Sequence, residues 1–108
     1  VTALVERYLA EGLRRDQHPL IAFREGAGGR RASLVGTRLD VSRVIETVRE
    51  SESPREAAEY LGITEAQVRA AVRYYTHFED EIDAWAERMH DTAEREREAW
   101  EREQSLLA

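Results

Sequence analysis

Residues 53–75 read SPREAAEYLGITEAQVRAAVRYY, two short helices around a tight turn. Ser53 is a helix cap, Pro54 suits the first helical position, and Glu56 stands three residues after the cap. Ala57, Ala58 and Leu61 then recur at helical spacing. Gly62 ends this helix, where a left-handed residue is cheap. Ile63 is an apolar plug after the turn. Thr64 and Gln67 make the capping box of the next helix, with Val68, Ala71, Val72 and Tyr75 as its expected buried face. Ala58, then Gly62 four residues on, then Val68 six further on, is the spacing of a helix-turn-helix. The alanine permits close approach of the two helices, and the glycine makes the turn.

The whole chain has 108 residues, enough for one domain with a modest core. No apolar run approaches the roughly 20 residues that span a membrane, and no signal-peptide pattern is present. These features imply a cytoplasmic protein. Cysteine is absent, which excludes disulfides and thiolate metal sites. The chain starts at Val1 and not at Met, which reads as a missing or processed N-terminal piece. All 16 basic residues are arginine, and they are unevenly placed. Residues 1–78 carry 12 Arg and 11 acids, while residues 79–108 carry 4 Arg and 11 acids. A near-neutral body therefore bears an acidic tail with net charge −7. Such a tail docks on a basic partner or is a solvated helix.

Outward from the central motif, residues 2–15 predict an amphipathic helix carrying Leu4, Val5, Tyr8, Leu9 and Leu13 at three- and four-residue steps. It packs on the core or is the remnant of a dimerising helix. Ile21–Arg24 and Arg31–Val35 predict a β-hairpin around the glycine cluster at 26–29. The cluster lacks the Gly-Lys-Ser/Thr ending of a phosphate loop and lies between strands. Arg24, Arg30, Arg31 and Arg38 stand there against Glu25 alone, the clearest basic patch in the chain. They form a solvated edge or a phosphate contact beside the helix-turn-helix. Gly36-Thr37-Arg38 then turns into a helix capped by Asp40 and lined by Val41, Val44, Ile45 and Val48.

After Tyr75 the helical pattern stumbles at Thr76–Phe78 and restarts at Glu79. Phe78, Ile82, Trp85, Ala86 and Met89 make an apolar stripe that fades into charged sequence. Asp91/Arg95 and Glu98/Arg102 stand at the i, i+4 spacing of helical ion pairs. Trp100 lies in that charged stretch with few apolar neighbours, so it anchors an interface or lies back on its own helix or a dimer mate. The expected class is α+β, mostly α. Residues 1–16 form an N-terminal helix, 17–78 a hairpin plus a three-helix core containing the helix-turn-helix, and 79–108 a long acidic helix.

No catalytic set, cofactor box or metal motif emerges. His18, His77 and His90 are far apart in sequence and have no ligand spacing. On the helix-turn-helix, Thr64, Glu65, Gln67, Arg69 and Arg73 are the expected outward residues. Gln67 suits adenine and Arg69 suits guanine. Residues 53–78 carry three Arg and three Glu, so DNA binding would need a dimer or help from Arg30, Arg31 and Arg38.

The order HPLIAFREG, GRRASLVGTRLDVSRVIE, SPREAAEYLGITEAQVRAAVRYY and HFEDEIDAW, over about residues 18–90, resembles the small bacterial proteins of domain-of-unknown-function family 433. That family is similar to VapB-type antitoxins of type II toxin–antitoxin pairs, whose usual neighbour is a PIN-like ribonuclease. The resemblance implies an antitoxin that blocks the ribonuclease and represses its own operon, working as a homodimer on operator DNA. It implies no enzyme activity, cofactor, small-molecule substrate or membrane. PIN-type sites gather acids around a metal, and an antitoxin occludes that site or holds an arginine in it. Ile82, Trp85, Met89, Arg95 and Trp100 are then the expected toxin-binding residues, with Arg88, Arg97 and Arg102 as further candidate arginines. The first helix is similar to the second helix of ribbon-helix-helix antitoxins, whose ribbon is not in this chain. The alternative is a free-standing helix-turn-helix regulator that homodimerises through its C-terminal helix. A coiled-coil seam would sustain its apolar residues through Trp100, whereas this one decays at Glu96.

Overall fold

The 53–75 stretch folds as its local signals dictate. In the computed structural model, which describes all 108 residues, helix α3 spans Pro54–Leu61 and helix α4 spans Glu65–His77. The Ser53 hydroxyl accepts from the Glu56 N–H at 3.1 Å, which is one half of a capping box. The second box is complete: Gln67 N–H donates to Thr64 Oγ1 at 3.1 Å, and Thr64 N–H donates to Gln67 Oε1 at 2.9 Å. Gly62 sits at φ 70°, ψ 33°, and the Ile63 N–H returns to the Ala58 carbonyl at 3.0 Å. Ala57, Ala58, Val68 and Ala71 are all buried, so small side chains let the two helices close on each other.

Helix α2 (Val41–Glu50) completes the three-helix core with Val41, Val44 and Ile45 buried. Strands β1 (Ile21–Gly26) and β2 (Gly29–Leu34) pair antiparallel from Ile21↔Leu34 to Gly26↔Gly29 around a two-residue turn. They lay Ile21, Ala32 and Leu34 into the same core. The Gly36-Thr37-Arg38 turn is held by the Thr37 hydroxyl, which donates to the Leu34 carbonyl at 2.9 Å and accepts the Leu39 N–H at 3.1 Å. Asp40 occupies the cap position of α2 but makes no cap bond. Its carboxylate is taken by Arg24 and Arg31, each at 3.0 Å.

Two long elements flank this core. Helix α1 covers Thr2–Gln17 and helix α5 covers Glu79–Leu107, after a single-residue break at Phe78. The architecture is α+β, mostly α. The core-packing reading of α1 does not hold, because none of its residues is buried. Its charged side chains bind the body and its leucines face away. On α4 the buried tyrosine is Tyr74, while Val72 and Tyr75 are only half-buried. Tyr74 wins that place because His18, Phe23 and Phe78 all meet its ring. On α5 only Ile82 and Trp85 are buried, and every residue from Asp91 to the end is exposed. About 25 Å of helix therefore projects free. No helix is long and apolar enough to cross a membrane.

Candidate functional site

Three surfaces carry the residues singled out by sequence. The first is the outward side of α4. Thr64, Arg69 and Arg73 are exposed there, and neither arginine has a carboxylate within ion-pair distance. Gln67 is half-buried, and its side-chain oxygen is engaged by the Thr64 N–H and hydroxyl. Reading a base edge would cost it the cap.

The second surface is the hairpin, and here the basic patch is largely compensated. Arg30 pairs bidentately with Glu11 of α1 and lies 3.8 Å from Glu25. That hydrogen-bonded partner holds the Glu11 carboxyl below its ordinary range. Arg31 pairs with Asp40 and stacks over the Trp85 ring at 5.4 Å. Arg24 binds the same aspartate and the Arg38 carbonyl. Arg38 alone of the four is exposed without an acidic partner. Arg30 and Arg31 are therefore structural clamps between elements, and a phosphate would have to compete with carboxylates already in place.

The third surface is α5. Ile82 and Trp85 are each 4% exposed, so they are core residues and not surface anchors. Trp85 lies under the hairpin tip. A side chain at Gly28 would meet its ring at 3.5 Å and the Met89 methyl at 3.0 Å, and Gly28 itself has φ 96°. Met89 is half-buried against that tip. Trp100 is 58% exposed, and Leu106 and Leu107 beyond it more so. Arg95 reaches only the Asp91 carbonyl at 3.4 Å and no carboxylate. The expected Asp91/Arg95 and Glu98/Arg102 ion pairs do not form; Arg97 instead bridges Glu94 and Glu101.

Two clusters join residues far apart in sequence. Arg14 of α1 donates to Glu81 at 2.6 Å and to Tyr74 at 3.1 Å, and the Tyr74 hydroxyl donates to Glu81 at 2.9 Å. Burial, with the Glu81 carboxylate beside it, pushes the Tyr74 hydroxyl well above the ordinary phenol range. It is a neutral tie between α1, α4 and α5, not a titrating group. His18 is buried, with His77 Nδ1 3.2 Å from its Nε2. Burial, then His77 and Arg73, hold the His18 imidazole below its ordinary range. Neither cluster has a spacing signal, because the partners lie about 60 residues apart. The side chains of Arg7, Glu11, Arg14, Arg30, Trp85 and Arg88 meet around a shallow cleft of about 260 Å³ between α1, the hairpin and α5.

The family model described as "Protein of unknown function (DUF433)" matches residues 21–75, half of the chain. The chain belongs to the DUF433 family. The match begins with β1 and ends two residues before the end of α4. The DUF433 unit is thus the hairpin and the three-helix core, a shorter span than the 18–90 expected from its motifs. Its GTR turn, Asp40 clamp and capped helix-turn-helix all lie inside the match, while α1 and α5 lie outside it. No curated protein and no solved structure matches the chain.

Proposed function

We propose that this DUF433 chain is a VapB-type antitoxin. Its projecting C-terminal helix binds and inhibits a PIN-like ribonuclease, and its helix-turn-helix binds the operator of its own operon. The observation that carries this reading is the free end of α5. Residues 91–108 are all exposed and their side chains hydrogen-bond only within α5, yet they hold a half-exposed Trp100 and two exposed leucines. Trp100 and Leu107 lie on the same side of the helix as Ile82 and Trp85, so the apolar line that enters the core continues outward. A charged helix with a lone tryptophan is an economical hot spot for a heterologous partner. Glu96 and Glu103 interrupt that line, which disfavours a self-paired seam. Arg95, without a carboxylate partner, suits insertion among the acids of a metal-dependent ribonuclease site.

On the DNA side, Arg69 and Arg73 are the free cations of α4, with Arg38 as a third from the turn. The test is recovery of the tagged chain from its host. Stoichiometric capture of a small ribonuclease, whose RNA cleavage the purified chain blocks, supports the antitoxin. Capture of the chain with promoter DNA alone would replace it with the free-standing regulator. For the DNA half, Arg69→Ala is expected to weaken operator binding more than binding to random DNA, by about 1–3 kcal/mol for a lost base contact. Equal loss on both would mark Arg69 as a phosphate contact.

A further inference from the structure

The cleft between α1, the hairpin and α5 is crowded with guanidinium groups. Arg7, Arg14, Arg30, Arg31 and Arg88 line it, and the acids among its lining are Glu11 and Glu81. Four of these arginines are already matched. Arg7 lies 3.7 Å from Glu25, Arg14 binds Glu81, Arg30 binds Glu11, and Arg31 binds an Asp40 that it shares with Arg24. Arg88 is exposed and has no carboxylate within ion-pair distance. Its guanidinium lies over the Trp85 ring, 5.1 Å from the centroid, and that of Arg31 lies at 5.4 Å. Trp85 also lines the cleft and is 4% exposed, and its indole N–H is buried with no acceptor in the chain. Buried donors are nearly always paired, so an orphan beside a cleft marks a place that an oxygen can fill. Phe23, Ala32 and Ile82 add apolar surface to the same lining.

We propose that this cleft binds a small aromatic carboxylate. The carboxylate sits between Arg88 and the Trp85 indole N–H, and the aromatic body lies against Trp85 and Phe23. The charge balance selects a monoanion. With Arg7, Arg14, Arg30 and Arg31 each matched to an acid, Arg88 is the lining arginine left over, and it neutralises one negative charge but not a phosphate dianion. The cleft volume of about 260 Å³ is at the small end for ligand pockets, which suits one or two fused rings. Arg88 is held only by its place over the Trp85 ring, so its side chain is free to swing onto the entering oxygen and uncover the indole. The resulting guanidinium–carboxylate bond is charge-assisted and planar. Aromatic faces already accept guanidinium groups on both sides of the cleft, with Arg14 over Phe23 at 6.0 Å as Arg88 is over Trp85. The inference rests on the cleft alone, and its test uses neither DNA nor ribonuclease.

The test is titration of the full chain with naphthoate, followed by proton–nitrogen NMR correlation spectra. Trp85 and Trp100 give separate indole N–H signals there, assigned with Trp100→Phe. The Trp85 signal moves downfield and saturates with a Kd below about 1 mM, while the Trp100 signal stays in place. Arg88→Gln weakens binding at least about tenfold with an unchanged far-UV circular dichroism spectrum. Arg55→Gln, on α3 and outside the cleft lining, leaves binding unchanged. The neutral analogue naphthylmethanol and inorganic phosphate each bind at least about tenfold more weakly than naphthoate. A Trp85 signal that does not move up to about 10 mM naphthoate overturns the proposal. So does an Arg88→Gln chain that binds as well as wild type. Equal affinity for naphthylmethanol would reduce the cleft to an apolar crevice, and equal affinity for phosphate would reduce it to an arginine patch that collects any anion; either overturns the proposal.

Discussion

Helices α1 and α2 are written in the same code. Each carries aliphatic residues at three- and four-residue steps with charges between them. Helix α2 folds Val41, Val44 and Ile45 into the core, whereas α1 binds the body through Glu11 and Arg14 and leaves its leucines outside. The same split recurs within one helix. Trp85 and Trp100 lie on one side of α5, fifteen residues apart, and one is buried under the hairpin while the other stands in solvent. Periodicity tells which side of a helix is apolar. What covers that side is decided by the tethers, here Arg30–Glu11 and the Arg14–Tyr74–Glu81 cluster. The matched family unit holds most of the buried core, with only His18, Ile82 and Trp85 buried beyond it, and both uncovered helical surfaces lie outside it.

The sharpest way to break this comparison is to truncate the two tryptophans separately. Trp85→Ala is expected to cost about 3–5 kcal/mol in urea unfolding, as for other large aromatic-to-alanine changes in cores. Trp100→Ala in the free chain should stay within about 0.5 kcal/mol. Equal losses would mean the tail packs on the body in solution. The next effect is aliphatic. Ile45→Ala should cost about 2–5 kcal/mol, and Leu9→Ala within about 0.5 kcal/mol. A large loss for Leu9→Ala would show that the chain covers α1 after all.

The smallest effect is a pH dependence. Because the native His18 imidazole is held below its ordinary value, the unfolded chain binds more protons in the window between the two. Stability is therefore complete above about pH 6.5, the unperturbed value, and declines as the pH falls below it through the lowered native value. His18→Gln should flatten that decline in chemical denaturation at pH 5 to 7. A slope unchanged by the substitution would assign the dependence to other groups.

Much of the core was legible because its signals are local. Caps, the Gly62 turn and the Ala58–Val68 spacing all act within a few residues. The hairpin arginines stand out in sequence as a basic patch because the carboxylates that pair with them come from elsewhere. Glu11 is nineteen residues before Arg30, and Asp40 is nine after Arg31. Asp40 was legible as a cap position, but its use by two arginines was not. His18 and His77 could not be joined by spacing, since 59 residues separate them. For Ile82 and Trp85 the signal was the apolar stripe they share with Phe78 and Met89, but nothing in the sequence says that the hairpin tip, where Gly28 leaves room for the Trp85 ring, is what covers Trp85.

We propose that the uncovered end of α5 is a binding element for a ribonuclease. The most direct measurement is titration of that ribonuclease, captured from the host, with the wild-type chain and with Trp100→Ala, following RNA cleavage. The expected result is full inhibition by the wild-type chain and an affinity at least about 30-fold weaker for Trp100→Ala, the mark of a hot spot of about 2 kcal/mol. Equal inhibition by the two chains would contradict it.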